Sequence, residues 1–165
     1  MIDSKEKLRS AYPPAKERSV KKQLKRLDRH CLRFLSLSPF VVLSSGTVQD
    51  GFDASPRGGE PGFVKAPDDR TLLIPDAPGN NRLDTLENII ANGRLGLLFL
   101  IPGVDETLRV NGTAHLEDDP SFIEYFKTQN GWGQRTTQIL PLLKEYGSVA
   151  RSILPQLKAL QAQWK

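Results

Sequence analysis

The sequence predicts a mainly β, α+β domain. Six short antiparallel strands curl into a small closed or split barrel, preceded by helices, interrupted by one inserted helix and followed by a helical tail. Three observations lead there. Apolar and β-branched runs recur in pairs, separated by Gly, Pro and Asp turns, which is the pattern of hairpins. One stretch between them, Arg82 to Ala91, switches to helical spacing. A chain of 165 residues with 38% apolar and 25% charged content has enough material for one core and too little for two ordinary domains.

The elements follow in order. Ser4 to Tyr12 is a short helix stopped by Pro13-Pro14, and Ala15 to about Leu37 is a longer one. In the longer helix Val20, Leu24, Leu27, Cys31 and Phe34 or Leu35 recur at three- and four-residue spacing. Pro39 to Ser45 is apolar and β-branched, a strand expected to be buried on both faces, and it turns at Gln49-Asp50-Gly51 into Phe52 to Arg57. Phe63 to Ala66 and Thr71 to Pro75 pair around Pro67-Asp68-Asp69. In the inserted helix Leu83, Leu86, Ile89 and Ile90 share a face, and Asn81 is the expected N-cap with Asp84 three residues on. Arg94 to Ile101 and Thr107 to Leu116 close a third hairpin through Pro102-Gly103. The single domain thus divides into N-terminal helices (1–38), a barrel core (39–118) and a tail (119–165).

Charge and cysteine content exclude several classes. The longest apolar run, Leu95 to Ile101, is far too short to span a bilayer, and no apolar signal core follows Met1, so cytoplasmic residence without a membrane partner is expected. One cysteine and two histidines give no disulfide framework and no expected metal site. Residues 1–33 carry eleven Lys or Arg against four acids, and the remainder twelve against fifteen. Most of these basic residues fall on the solvated face of a helix, and no aromatic and glycine signature of an RNA-stacking surface accompanies them. Nucleic-acid binding is therefore the remote reading.

The stretch from Asp53 to Gly112 carries the chemistry. Arg57 follows a proline and precedes two glycines where a strand ends, so backbone and guanidinium can both approach an anion. Asn80-Asn81-Arg82 opens a helix, whose first amides and partial positive charge favour phosphate.

SPRGGEPGF and DDRTLLIPDAPGNNRLDTLENIIANGRLGLLFLIPGVDETLRVNG, preceded by HCLRFLSLSPFVVLSS, resemble the pyridoxamine 5′-phosphate oxidase-like family of FMN-binding split barrels. They are most similar to its uncharacterised bacterial branch with SPRG and PGNNRLD motifs, over roughly residues 5 to 118. The resemblance implies a homodimer with FMN in grooves between the subunits. Ser55 and Arg57 match the second-strand phosphate group, and Asn81, Arg82, Asp84 and Thr85 match the helix-start group. Ile74 and Pro75 correspond to the strand whose backbone faces the isoalloxazine ring, and Thr107 falls where the oxidases proper carry a glutamine near the flavin. Those oxidases use an arginine–lysine pair where this chain has Asp84 and Thr85, so Asp84 is expected to orient Arg82 or Arg57 and to cap the helix.

The tail departs from the family pattern, which ends in another core strand and a short helix closing on leucine–tryptophan. Asp119 to Lys165 reads as short helices interrupted by Pro141 and Pro155, either through divergence or through a shifted reading frame near residue 120. No catalytic residue is assigned, and the substrate side cannot be located. The leading expectation is an FMN-dependent oxidoreductase acting on an unidentified small molecule. The alternatives are a flavin carrier or redox sensor without turnover, a haem- or deazaflavin-binding relative, and a basic nucleic-acid-associated dimer.

Overall fold

The computed structural model describes residues 1–20, 22–76, 81–121, 126 and 135–141. The elements are α1 (Lys5–Ala11), α2 (Glu17–Val20), α3 (Arg29–Leu37), β1 (Phe40–Thr47), β2 (Gly51–Gly58), β3 (Leu72–Asp76), α4 (Asp84–Asn92), β4 (Arg94–Leu100), β5 (Leu108–Glu117) and β6 (Arg135–Pro141). Among the described residues the strands form one antiparallel sheet in the order β2-β1-β4-β5-β6-β3, the mainly antiparallel architecture of a split barrel.

Period-two alternation builds the core. Val41 and Leu43 of β1 stand opposite Phe99 and Leu97 of β4, and these opposite Leu108 and Val110 of β5, all buried on one sheet face. The other face of β1 is open, with Phe40 and Ser44 exposed, so the strand is buried on one face and not on both. The tight β1–β2 turn is locked by Thr47, whose Oγ1 donates to Asp50 Oδ2 at 2.7 Å and accepts from the Asp50 amide at 2.9 Å. A side chain at Gly46 would place its Cβ 2.3 Å from the Gly51 carbonyl oxygen, so only glycine fits there.

The longer N-terminal helix predicted from Ala15 is broken. Lys21 and Lys25, and Lys22 and Arg26, are like charges four residues apart, which opposes continuous helix. The chain instead re-enters helix at Asp28, whose Oδ1 accepts the His30 and Cys31 amides, both at 2.9 Å. Just before it, Leu27 donates its amide to Asp69 O at 2.9 Å and Arg26 pairs with the Asp69 carboxylate. α3 then buries Cys31, Phe34, Leu35 and Leu37, and stops before Pro39. Burial pushes the Cys31 thiol up to about 12, so it packs as a small hydrophobe and is not poised as a nucleophile. For Asp28, burial opposes the charge, yet hydrogen bonds from the Cys31 and His30 amides hold the carboxyl below its ordinary value.

Two strand assignments change. Phe63 to Ala66 does not form a strand. It makes a single bridge, Lys65 to Leu73, with reciprocal amide bonds of 3.0 and 2.8 Å, because Pro61, Gly62 and Pro67 restrict it. The sixth strand lies in the segment expected to be helical: β6 runs between β5 and β3, pairing Ala114 with Ile139 and Ile74 with Thr137. Of the rest of the predicted helical tail, residues 119–121 and Phe126 are described, with 120, 121 and 126 helical and Phe126 buried, whereas Trp132, Pro155 and Trp164 are outside the described residues, as are Phe122 and Tyr125.

A polar seam seats α4 on the β1–β2 hairpin. Thr85 Oγ1 donates to Asp53 Oδ2 at 2.9 Å, Asn88 Nδ2 to Ser45 Oγ at 3.1 Å, and Asn92 Nδ2 to the Gly46 carbonyl. The spacing of three and four residues puts all three donors on one helix face. Thr85, Asn88 and Ile89 are buried, whereas Asn92 at the end of that face and Leu83 and Ile90 of the expected apolar face are exposed. Gly93 ends the helix in the left-handed conformation (φ 64), its amide returning to Ile89 O at 2.8 Å.

Asn88→Ala should lower unfolding free energy by about 1–3 kcal/mol in urea denaturation, because it leaves the buried Ser45 hydroxyl unpaired. Adding Ser45→Ala should then cost less than it does in the wild type. Asp28→Ala should cost about 1 kcal/mol at pH 7. Because the folded carboxyl lies below 3.8, this difference should persist above that pH and fade as pH falls through the lower, folded value.

Candidate functional site

The register of β2 decides what faces the helix. Asp53 pairs with Ser45, Ser55 with Leu43 and Arg57 with Val41, so all three polar residues stand on the core-bearing face of the hairpin. They are half-buried, whereas Phe52, Ala54, Pro56 and Gly58 point outward and are exposed. Arg57 Nη1 donates to Ser55 Oγ at 2.6 Å and to the Pro56 carbonyl at 3.0 Å. Its Nε and Nη2 make no hydrogen bond among the described residues, leaving donors of the planar fork available to a ligand.

The second bank is the start of α4. Asn81 does not cap it. Its backbone is left-handed (φ 59), a conformation asparagine tolerates better than most residues, and Leu83 occupies the N-cap without a side-chain acceptor. The first-turn amides therefore lack the cap that the sequence predicts. Arg82 donates from Nε and Nη2 to Asp84 Oδ2 at 3.1 and 2.8 Å, so Asp84 pairs with Arg82 and not with Arg57. The pair is open to solvent, with Arg82 76% and Asp84 48% exposed, so its attraction is weak and its effect is orientation. Thr85 is buried, and its hydroxyl faces Asp53.

The helix and β2 thus meet directly: Thr85 is three residues beyond Arg82, and Asp53 is two before Ser55 on the same strand face. The remaining site residues are less closely joined. Ile74 is buried and Pro75 half-buried in β3, at the far end of the strand order from β2, and the chain returns from there to Asn81 through residues 77–80, which include Asn80 and lie outside the described residues. Thr107 is half-buried just before β5, and alternation puts it on the side of the exposed Arg109, opposite Leu108 and Val110. No hydrogen bond joins Thr107 to the other site residues among those described.

Sequence reasoning missed Asp53, Ser45, Asn88 and Asn92. The one available signal was the spacing of the uncharged polar residues Thr85, Asn88 and Asn92 along the helix. Its partners could not be read, since they lie 32, 43 and 46 residues away in the chain.

Comparison with known proteins agrees with this architecture. Solved structures similar to this chain include a variant of HupZ from Group A Streptococcus (13% identity, 70% of this chain and 95% of that one, TM-score 0.57). A putative pyridoxamine 5′-phosphate oxidase from Lactobacillus delbrueckii aligns at 15% identity over 78% of this chain and 99% of that one, with TM-score 0.56. The heme storage protein HutZ from Vibrio cholerae aligns at 11% identity over 74% and 95%, with TM-score 0.52. At these identities the likeness is one of fold. No curated protein matches the sequence. The pyridoxamine 5′-phosphate oxidase family profile matches residues 27–155, beginning at Leu27, the first buried residue among those described, and extending across β6 and most of the tail that departs from the motif pattern. A match over that much of the sequence, on a mainly antiparallel barrel with helices, places the chain in the pyridoxamine 5′-phosphate oxidase-like family.

Proposed function

We propose that the protein is an FMN-binding flavoprotein, an FMN-dependent oxidoreductase acting on a small molecule, and that it works as a homodimer with the flavin between subunits. The observation that carries the reading is the half-buried Arg57, fixed by Ser55 on the face of β2 that meets a helix start without a side-chain cap among the described residues. The donor set fits a phosphate: guanidinium nitrogens from one element, first-turn amides from another, and a second guanidinium on Arg82. Arg57, Ser55, Asn81 and Arg82 would hold the phosphate, with Asp84 aiming Arg82. Ile74, Pro75 and Thr107 would border the ring.

Bound there, FMN would supply hydride and electron transfer. The chain's own part is to bind the anionic tail, set the orientation of the ring and exclude water. The acids of the first turn, Asp84 and Glu87, oppose a phosphate, and the Arg82–Asp84 pair offsets one of them. Dimerisation is supported by the outer sheet face, where Phe40 is exposed and Val42, Leu98 and Leu100 are only half-buried. Among the described residues no helix is long and apolar enough to cross a membrane.

Arg57→Ala and Arg82→Ala should each weaken FMN binding by about tenfold to a hundredfold, the loss of one charge-assisted hydrogen bond or two. The double variant should purify as a folded, flavin-free dimer. Absorbance and mass of the cofactor extracted from purified wild type identify what is bound: FMN near one per subunit supports the reading, and haem or a deazaflavin contradicts it. Steady turnover with NADH or NADPH is expected, whereas a yellow protein inert to every donor would leave a flavin carrier.

A further inference from the structure

We propose that Asp53 is a positioning residue that acts through Thr85, and that Thr85 is a tether and not a ligand of the anion. This rests on the flavin reading above. Thr85 stands where the family resemblance puts a phosphate ligand, yet it is only 3% exposed and its hydroxyl donates to Asp53 at 2.9 Å. A hydroxyl has one proton to donate, so as long as it serves the carboxylate it does not serve a phosphate.

Apart from the buried Thr85 and the half-buried Leu86, the opening turn of α4 is exposed. Leu83 caps without a side-chain acceptor and is 46% exposed, and Arg82 is more exposed still. The next holds are Asn88 on Ser45 and Asn92 on Gly46, towards the far end of the helix. Without the Asp53–Thr85 bond, α4 stays pinned at its middle and C-terminus while its first turn is free to fray. Asp53 therefore fixes where the first-turn amides and Arg82 stand relative to β2. Along β2, Asp53 and Arg57 lie about 13 Å apart at Cα, and Arg57 folds back onto Ser55, which brings its guanidinium towards the tether.

A carboxylate beside an anion site is unfavourable electrostatically, so an acceptor needed only for packing is better supplied by an amide. The carboxylate binds the hydroxyl more strongly than an amide oxygen would. Asp53→Asn keeps the acceptor, removes the repulsion and should bind FMN as well as wild type or better. Asp53→Ala, and the nearly isosteric Thr85→Val, should each weaken FMN by about tenfold or more, and the double variant should be no weaker than either single one. Thr85→Ser should restore affinity to within about threefold of wild type.

The experiment is an FMN fluorescence titration of these five variants, with amide hydrogen exchange of α4 alongside. The tether predicts faster exchange in Asp53→Ala of the Glu87 amide, which closes the first turn on the Leu83 carbonyl, and unchanged exchange from Ile89 to Asn92. Loss of affinity in Thr85→Val but not in Asp53→Ala would overturn it, since Thr85 would then touch the ligand itself. Additive losses in the double variant, or unchanged exchange at Glu87, would overturn it too. If wild type binds no FMN, the flavin reading fails, and the exchange experiment still decides the tether.

Discussion

The seating of α4 on the β1–β2 hairpin is the constraint on which the rest of the site depends. The hairpin supplies Asp53, Ser55 and Arg57 on one face because strand alternation allows nothing else once Val41 and Leu43 are committed to the core. A slip of one residue in β2 would turn all three polar residues outward and bring Phe52, Ala54 and Pro56 in. Register and site chemistry are therefore the same decision, and the Thr47–Asp50 turn with its obligatory Gly46 enforces it.

What joins helix to hairpin is polar, which sets this contact apart from the apolar core beneath it. Apolar contacts tolerate sliding, whereas hydrogen bonds from Thr85, Asn88 and Asn92 each need one partner at one distance. Such a seam contributes less to stability than its buried area suggests, since it replaces bonds to water. It contributes position. Arg57 lies in β2 and Arg82 just before α4, so under the proposed reading a helix fixed in height and rotation would present Arg82 and the first-turn amides to the same ligand as Arg57.

Much of this was legible in the sequence, and the failures have physical causes. The first and third hairpins could be read because Gly51 (φ 81) and Gly103 (φ 77) mark their turns and apolar residues alternate on both sides. SPRG and PGNNRLD singled out Arg57 and Arg82, whose part in binding belongs to the proposal. The helix from Ala15 failed because apolar spacing was weighed without the like charges between Lys21 and Arg26. Asn81 looked like a cap by residue type, but its left-handed backbone gives the cap to Leu83. β6 was hidden because Ile139 falls at helical spacing with Leu142, Leu143 and Tyr146 in the sequence, although Thr136, Thr137 and Ile139 carried a β-branched signal that favours a strand. Asp53 and Ser45 were out of reach, since local pattern cannot pair residues that far apart in the chain.

The central claim is that the site grips a phosphate, with the ring held more loosely by backbone and apolar surface. Comparing riboflavin with FMN isolates that grip, because the two differ only in the phosphate. Calorimetric titration of the flavin-free wild-type protein should give an FMN affinity about a hundredfold or more above that for riboflavin, as expected for two charge-assisted contacts at 1.5–3 kcal/mol each. Equal affinities for the two flavins would contradict the account, because Arg57 and Arg82 would then have no anion to hold.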